Sequence, residues 1–248
     1  MKPSDILCYY PTMTATTVRI ASYNLQKCVG LDLRRRPDRS LKVINALNAQ
    51  VMVLQEADKR LPPRPAALPH DMIAADGWQV LPFGAPGGSL GWHGNAMLVR
   101  PGIKMTATAH IDLPGLEPRG AIRAELETPI GPLRVVGLHL GLIQRYRLLQ
   151  VAAIMRALER LPDCPTVLAG DFNDWSNGAA LDATAQGVAF IRGAPSFPAL
   201  RPVALLDRFA LSPELQALAS GSHSAQPAHI ASDHLPVWVD LARSLAAG

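Results

Sequence analysis

Leu168-Ala169-Gly170-Asp171-Phe172-Asn173 decides how this chain is read. The residues leading into it, Thr166 to Ala169, form a short continuous apolar run, the pattern of a strand covered on both faces. Gly170 permits a turn where that run stops. Asp171 and Asn173 lie two apart, so an extended chain points both to one side while Phe172 turns back into the core. A carboxylate beside a carboxamide suits a phosphoryl centre: one manages a proton or orients water, the other donates N–H to a charged oxygen. The same pair also fits an Asx turn that merely closes the strand.

Working outward, other apolar runs also end in polar residues. Val18 to Asn24 reads as a strand closing on Asn24, and Val51 to Leu54 as a doubly covered strand running into Gln55 and Glu56. Leu133 to Leu140 carries His139 near its end. Further strands are expected over 95–100, 121–127, 204–211 and 235–241. Helices are expected over 39–49, with Leu41, Ile44 and Leu47 on one face, and over 144–161, with Leu148, Val151, Met155 and Leu158 on one face. Prolines and glycines make 61–69 and 83–94 loops. Many strands, few crossover helices and no internal repeat imply an α/β sandwich, two sheets face to face with helices outside. In a mostly antiparallel sandwich, the strand ends at Asn24, Glu56, His139 and Asp171 share a rim with the strand start at Asp233 and His234. All converge on one pocket.

Each of these residues has a plainer reading. Ser232-Asp233-His234-Leu235-Pro236 joins an acid to a histidine, a common turn unless a cation needs oxygen ligands and a base of near-neutral pKa stands beside it. Asp207 is an acid inside an apolar strand and needs a partner there, Arg208 or a histidine brought by the fold. Glu56 is either a hard-cation ligand or an exposed strand-end acid, and His139 alone fits a satisfied core histidine.

Composition bounds the answer. The 248 residues contain no aliphatic run approaching the roughly 20 of a membrane span. With 48% hydrophobic and 18% charged residues, a disordered chain or a coiled coil is excluded. Residues 1–17 read as a disordered tail and 18–248 as one domain. The apolar stretch at Ile6 to Tyr10 is shorter than a signal-peptide core. Cys8, Cys28 and Cys164 fit neither a zinc site nor a disulfide framework. A cytoplasmic location is expected. The excess of Lys+Arg 24 over Asp+Glu 20 gives +4, and its densest cluster, Arg34, Arg35, Arg36 and Arg39, is either a solvated loop or a steering patch for a phosphate-bearing partner.

Taken in order, Tyr23-Asn24-Leu25-Gln26, Leu54-Gln55-Glu56, Gly94-Asn95-Ala96, Gly137-Leu138-His139-Leu140, Gly170-Asp171-Phe172-Asn173, Leu206-Asp207-Arg208 and Ser232-Asp233-His234-Leu235-Pro236 resemble the endonuclease/exonuclease/phosphatase superfamily. The likeness spans residues 18–241 and is strongest to its small stand-alone bacterial metal-dependent hydrolases, whose pattern also includes Arg119-Gly120, Gln144-Arg145 and Phe197-Pro198. It implies a DNase-I-like fold: a four-layered α/β sandwich of two mostly antiparallel sheets flanked by helices. It implies that Glu56 binds a divalent cation, Mg²⁺ or Mn²⁺, with Asn24 and Asp233 ligating it or orienting its waters. His234 would be the general base and Asp207 its orienting partner. Asp171 and Asn173 would position the nucleophile or leaving oxygen and the phosphoryl group, His139 would donate to the developing charge, and Asn95 and Arg119 would bind substrate. The implied activity is a metal-dependent phosphoesterase, with a nucleic acid, a phospholipid head group or a small ester as substrate and no obligate protein partner. A catalytically dead binding module of the same fold is the rival. Gln55-Glu56-Ala57-Asp58 and Leu138-His139-Leu140 depart from the abasic-site repair branch, and Arg208 stands where a tyrosine is common.

Overall fold

The computed structural model describes residues 16–59, 65–84 and 88–244. The expected tail, except for Thr16 and Thr17, and Cys8 with it, lie outside them. So does part of each expected Pro/Gly loop.

The first sheet is built of β1 (Val18–Asn24), β2 (Val51–Gln55), β3 (Gln79–Val80), β4 (Ala96–Val99), β11 (Leu215–Ser222) and β12 (Val237–Arg243), in the order β11-β12-β1-β2-β4-β3. The second holds β5 (Lys104–Asp112), β6 (Gly120–Thr128), β7 (Gly131–His139), β8 (Thr166–Asp171), β9 (Ala189–Phe190) and β10 (Asp207–Leu211), in the order β5-β6-β7-β8-β10-β9. Each sheet has one parallel pair, β1 with β2 and β7 with β8; every other pairing is antiparallel. The helices are α1 (Pro37–Ala46), α2 (His70–Ala75), α3 (Gln144–Leu158), α4 (Ala179–Thr184) and α5 (Ala228–Ala231).

Alternation along the strands sorts the apolar residues into three cores. Ile20, Val51, Val53, Met97 and Val239 from one sheet meet Ile122, Val135, Val167, Ala169 and Phe209 from the other. Ala21, Tyr23, Met52 and Leu54 point outward against Leu41 and Ile44 of α1 and Ile73 of α2. Val136, Leu138 and Leu168 point outward against Val151, Ile154 and Leu158 of α3 and Leu181 of α4. The result is the expected four-layered α/β sandwich. It also explains why Val51 to Leu54 is apolar at every position, since a strand covered on both faces has no polar side to show.

Element ends differ from the sequence reading in ways with local causes. The first helix starts at Pro37, not Arg39, because a proline at the first helical position has the right φ and lacks only an N–H that would go unused. It stops before Asn48, whose φ of 50° breaks it. The strand expected from Ala204 begins at Asp207, the preceding residues pairing instead with Phe197. The strand expected from Leu235 begins at Val237. Among the described residues, no helix is long and apolar enough to cross a membrane.

Candidate active site

The inter-sheet core fixes which parity of each strand points inward. In β8 the inward residues are Val167, Ala169 and then Asp171; in β7, Val135, Gly137 and then His139; in β10, Leu211, Phe209 and then Asp207; in β1, Ile20, Ser22 and then Asn24. Every row is apolar or small within the core and ends in a polar residue at the same end of the sandwich. Register sets these ends abreast, His139 opposite Asp171 and Asp171 opposite Asp207. From the facing sheet the Asn24 Nδ2 donates to Asp171 Oδ2 at 3.1 Å.

His234 enters from the loop before β12. Its Nδ1 lies 2.8 Å from Asp207 Oδ2 and its Nε2 3.8 Å from Asp171 Oδ2. Ser196 Oγ donates to the same Asp207 oxygen at 2.6 Å, while Asp207 Oδ1 is buried with no hydrogen-bond partner. His139 Nε2 stands 3.5 Å from Asp171 Oδ2. Asp171, Asp207 and His234 thus bring ligand-capable atoms within 4.8 Å of one another.

Burial in this cluster pulls the pKa values apart. It opposes charge on His234, but Asp207, Asp171 and Asp233 outweigh it and hold the ring up to about 10. Burial, then the charge of Asp207, pushes the Asp171 carboxyl up to about 7. His139 is held well below the usual histidine range by burial and then by Arg119, His234 and Lys27. The two histidines facing Asp171 are thus shifted in opposite directions, and only His234 has a second aspartate, Asp207, on its other nitrogen.

Backbone strain gathers at the same end. Of the eight non-glycine residues with positive φ among those described, only Asn48 lies elsewhere; Gln26, Lys27, Cys28, Leu33, Glu56, His93 and Asn173 are all in loops at this rim. Such conformations cost of order 1–3 kcal/mol each and persist where the surroundings impose them. The left-handed turn Gln26–Cys28 has visible consequences: the Lys27 ammonium is placed on the Glu56 carboxylate, and Gln26 Oε1 accepts from the Asp233 N–H at 3.1 Å. An open cleft of about 360 Å³ lies beside it, with Lys27, Glu56, His93, Glu117, Arg119 and His139 among its lining residues. His139 joins the cleft to the buried cluster.

Residues 21–234 match the model of the Endonuclease/Exonuclease/phosphatase family. The chain belongs to that family. A curated relative, the uncharacterized protein YbhP of Escherichia coli strain K12, is 34% identical over 128 residues, 48% of this chain and 51% of YbhP. The chain spans about half the length of the curated relatives it matches. An endonuclease/exonuclease/phosphatase family protein of Bacteroides thetaiotaomicron superposes with a TM-score of 0.74 at 18% identity, over 93% of this chain and 99% of that one. A mannosyl-6-phosphatase of the same organism superposes with a TM-score of 0.71 at 18% identity, over 90% and 99%. These likenesses place the DNase-I-like fold.

Within this endonuclease/exonuclease/phosphatase fold, Asn24, His139, Asp171, Asp207 and His234 are in one hydrogen-bonded or near-contact set. Glu56 and Arg119 line the adjoining cleft, where Arg119 donates to Glu117 at 2.8 Å. Asp233 is half-buried beside His234. Asn173 serves the turn: its N–H donates to Asp171 Oδ1 at 2.9 Å and its Nδ2 to the Leu140 carbonyl at 2.9 Å, so the Asx turn and the site are the same object. Asn95 is buried behind the cleft wall, donating to the Gly120 carbonyl at 2.8 Å. Arg208, one residue from Asp207, has the opposite parity; it donates to the Leu205 and Asp174 carbonyls and leaves the pocket's charge unchanged. Ser196, Lys27 and Phe197, whose ring is 4.9 Å from that of His234, were not singled out by the sequence for any role. Only the Phe-Pro pair carried a signal.

Proposed function

We propose that the protein is a divalent-metal-dependent phosphoesterase that hydrolyses a phosphodiester by in-line attack of water. The observation that carries this reading is the Asp207–His234 pair at 2.8 Å, whose Nε2 faces Asp171 next to His139, a lining residue of the open cleft. The residues also suit a hard cation: Glu56, Asn24 and Asp233 offer oxygen donors, and the Lys27 ammonium already sits as a positive charge on Glu56. Mg²⁺ or Mn²⁺ held there supplies Lewis-acid neutralisation of charge on the phosphoryl oxygens. The chain does the rest. His234 Nε2 takes the proton of the attacking water, and Asp207 fixes the ring through Nδ1 and stabilises the imidazolium that forms. Ser196 holds Asp207. Asp171, whose carboxyl burial and the charge of Asp207 push up, gives its proton to the leaving oxygen, and His139 donates a hydrogen bond to the developing charge.

The pKa order favours a second assignment of the same pair. His234, already cationic at neutral pH, binds the phosphoryl oxygen or protonates the leaving group, and Asp171 accepts the water's proton. The two assignments differ in their dependence on the leaving group. For His234→Ala, a base predicts an equal loss of about 10² to 10⁴-fold on a nitrophenyl and an alkyl diester. An acid predicts that the nitrophenyl ester, which leaves without a proton, is largely spared. Full turnover of both esters by the variant sinks both assignments.

A further inference from the structure

Large apolar side chains exposed to solvent are not spread evenly over the molecule. The six most exposed among the described residues, at 62% to 87%, are Leu33, Leu116, Leu142, Trp175, Leu200 and Val203. They come from five separate loops: β1 to α1, β5 to β6, β7 to α3, β8 to α4, and β9 to β10. Strand direction puts all five loops at one end. They follow or precede Asn24, Gly120, His139, Asp171 and Asp207, the ends that form the candidate site. Single exposed leucines are ordinary, but convergence of this kind around a cleft marks an interaction surface.

Charge identifies what that surface meets. After three of these tips an exposed arginine follows within three residues: Leu33-Arg34, Leu142 with Arg145 in the first turn of α3, and Leu200-Arg201. None of Arg34, Arg145 and Arg201 enters an ion pair among the described residues. An aliphatic tip with a guanidinium beside it matches a lipid interface, where the tip enters the acyl region and the guanidinium stays at the phosphates. Trp175, whose ring packs edge-on against Phe197 at 5.5 Å between centroids, is the residue type that settles at head-group depth. A nucleic-acid strand would gain little here, since five of the six tips are aliphatic and offer no ring for base stacking.

We infer that the loops around the cleft dock the protein on an anionic lipid surface, presenting the catalytic end to phosphodiesters at head-group depth. The inference rests on the phosphoesterase reading for its substrate, but docking is measured without turnover. Wild-type protein should float with vesicles of phosphatidylglycerol and phosphatidylcholine and far less with phosphatidylcholine alone. Emission from Trp175, the one exposed tryptophan of the described four, should shift to the blue on the anionic vesicles, and Trp175→Phe should lose that shift. Leu33→Ser, Leu200→Ser and Val203→Ser combined should weaken vesicle binding at least tenfold with turnover of a soluble nitrophenyl diester unchanged. Each of Arg34→Ser, Arg145→Ser and Arg201→Ser should cost about fivefold on the anionic vesicles alone. Absence of wild-type flotation, or unchanged binding by the leucine-and-valine triple variant, overturns docking. So does retention of single-stranded DNA that the triple variant abolishes, which reassigns the rim to nucleic acid. Vesicle binding with no turnover of any ester overturns the phosphoesterase reading instead.

Discussion

Three groups within one hydrogen-bonding neighbourhood, Asp171, Asp207 and His234, are coupled through charge, so none acts alone. His234→Ala and Asp207→Asn should each cut turnover, and because the aspartate works chiefly through the histidine it holds at 2.8 Å, the double variant should cost much less than the product of the singles. Steady-state kcat for the four proteins checks this; multiplicative losses would separate the two residues. The same coupling fixes a pH dependence of stability in protein freed of divalent ions. His234, held up to about 10 against about 6.5 when unfolded, contributes stability that is fully present below about pH 6.5 and is lost as pH rises through about 10. The folded state binds the extra proton, so stability falls with rising pH across that window. Denaturant titrations at neutral and at alkaline pH should show the fall in wild type, and Asp207→Asn, which removes the main source of the raised pKa, should flatten it. Legibility at this scale was high for Asn24, His139, Asp171 and His234, which sit where apolar strands begin or end. It was low for Lys27 and Ser196, because a left-handed turn and a side-chain hydroxyl on a loop leave no periodic trace.

Elements hold these residues through register, and one glycine shows how tightly. Gly170, with φ of 152°, faces Leu138 across the parallel β7–β8 pair, and a Cβ there would lie 2.0 Å from the Leu138 carbonyl oxygen. The nearest atoms are all Leu138 backbone, so little can yield except the strand spacing. Gly170→Ala should therefore destabilise by about 2 to 4 kcal/mol and move Asp171 away from His139, lowering kcat as well. Thermal melting with turnover measured well below the transition tests both, and a variant with wild-type melting and kcat would show that β8 tolerates the side chain. The buried strands β1, β2, β7 and β8 were legible because both faces are covered and the sequence is apolar throughout. The strands β5 and β11 were not. Both are edge strands, half exposed, written in Lys104-Met105-Thr106-Ala107-Thr108 and Leu215-Gln216-Ala217-Leu218-Ala219-Ser220, where small and polar residues blur the alternation. The short helices α2, α4 and α5, each six residues or fewer, are below the length at which a helical period can be read.

Over the whole molecule, charge and cation binding set the remaining expectations. A ligand that binds only the folded state stabilises it, by about 2.7 kcal/mol at a hundred times its dissociation constant. Mg²⁺ or Mn²⁺ should raise the melting temperature, and Glu56→Gln should abolish the rise; chelation should abolish turnover. A melting curve indifferent to both ions would remove Glu56 as a ligand without any appeal to activity. The arginine run makes a sharper test of what the rim contacts. Read from sequence, Arg34, Arg35 and Arg36 offer three phosphate contacts, and duplex DNA binding would then weaken with salt at a log-log slope near −0.9 for each. Folding leaves fewer. Arg36 is paired with Asp38 at 2.8 Å, and Arg35 donates to the Lys27 carbonyl, tying the loop to the strained turn that carries Lys27. Only Arg34 remains uncommitted. Replacing all three by serine should therefore change the slope of duplex binding by about one contact and leave hydrolysis of a small diester unaltered. A change near three contacts would mean that Arg35 and Arg36 leave their partners for a polyanion, and the rim would then belong to a nuclease.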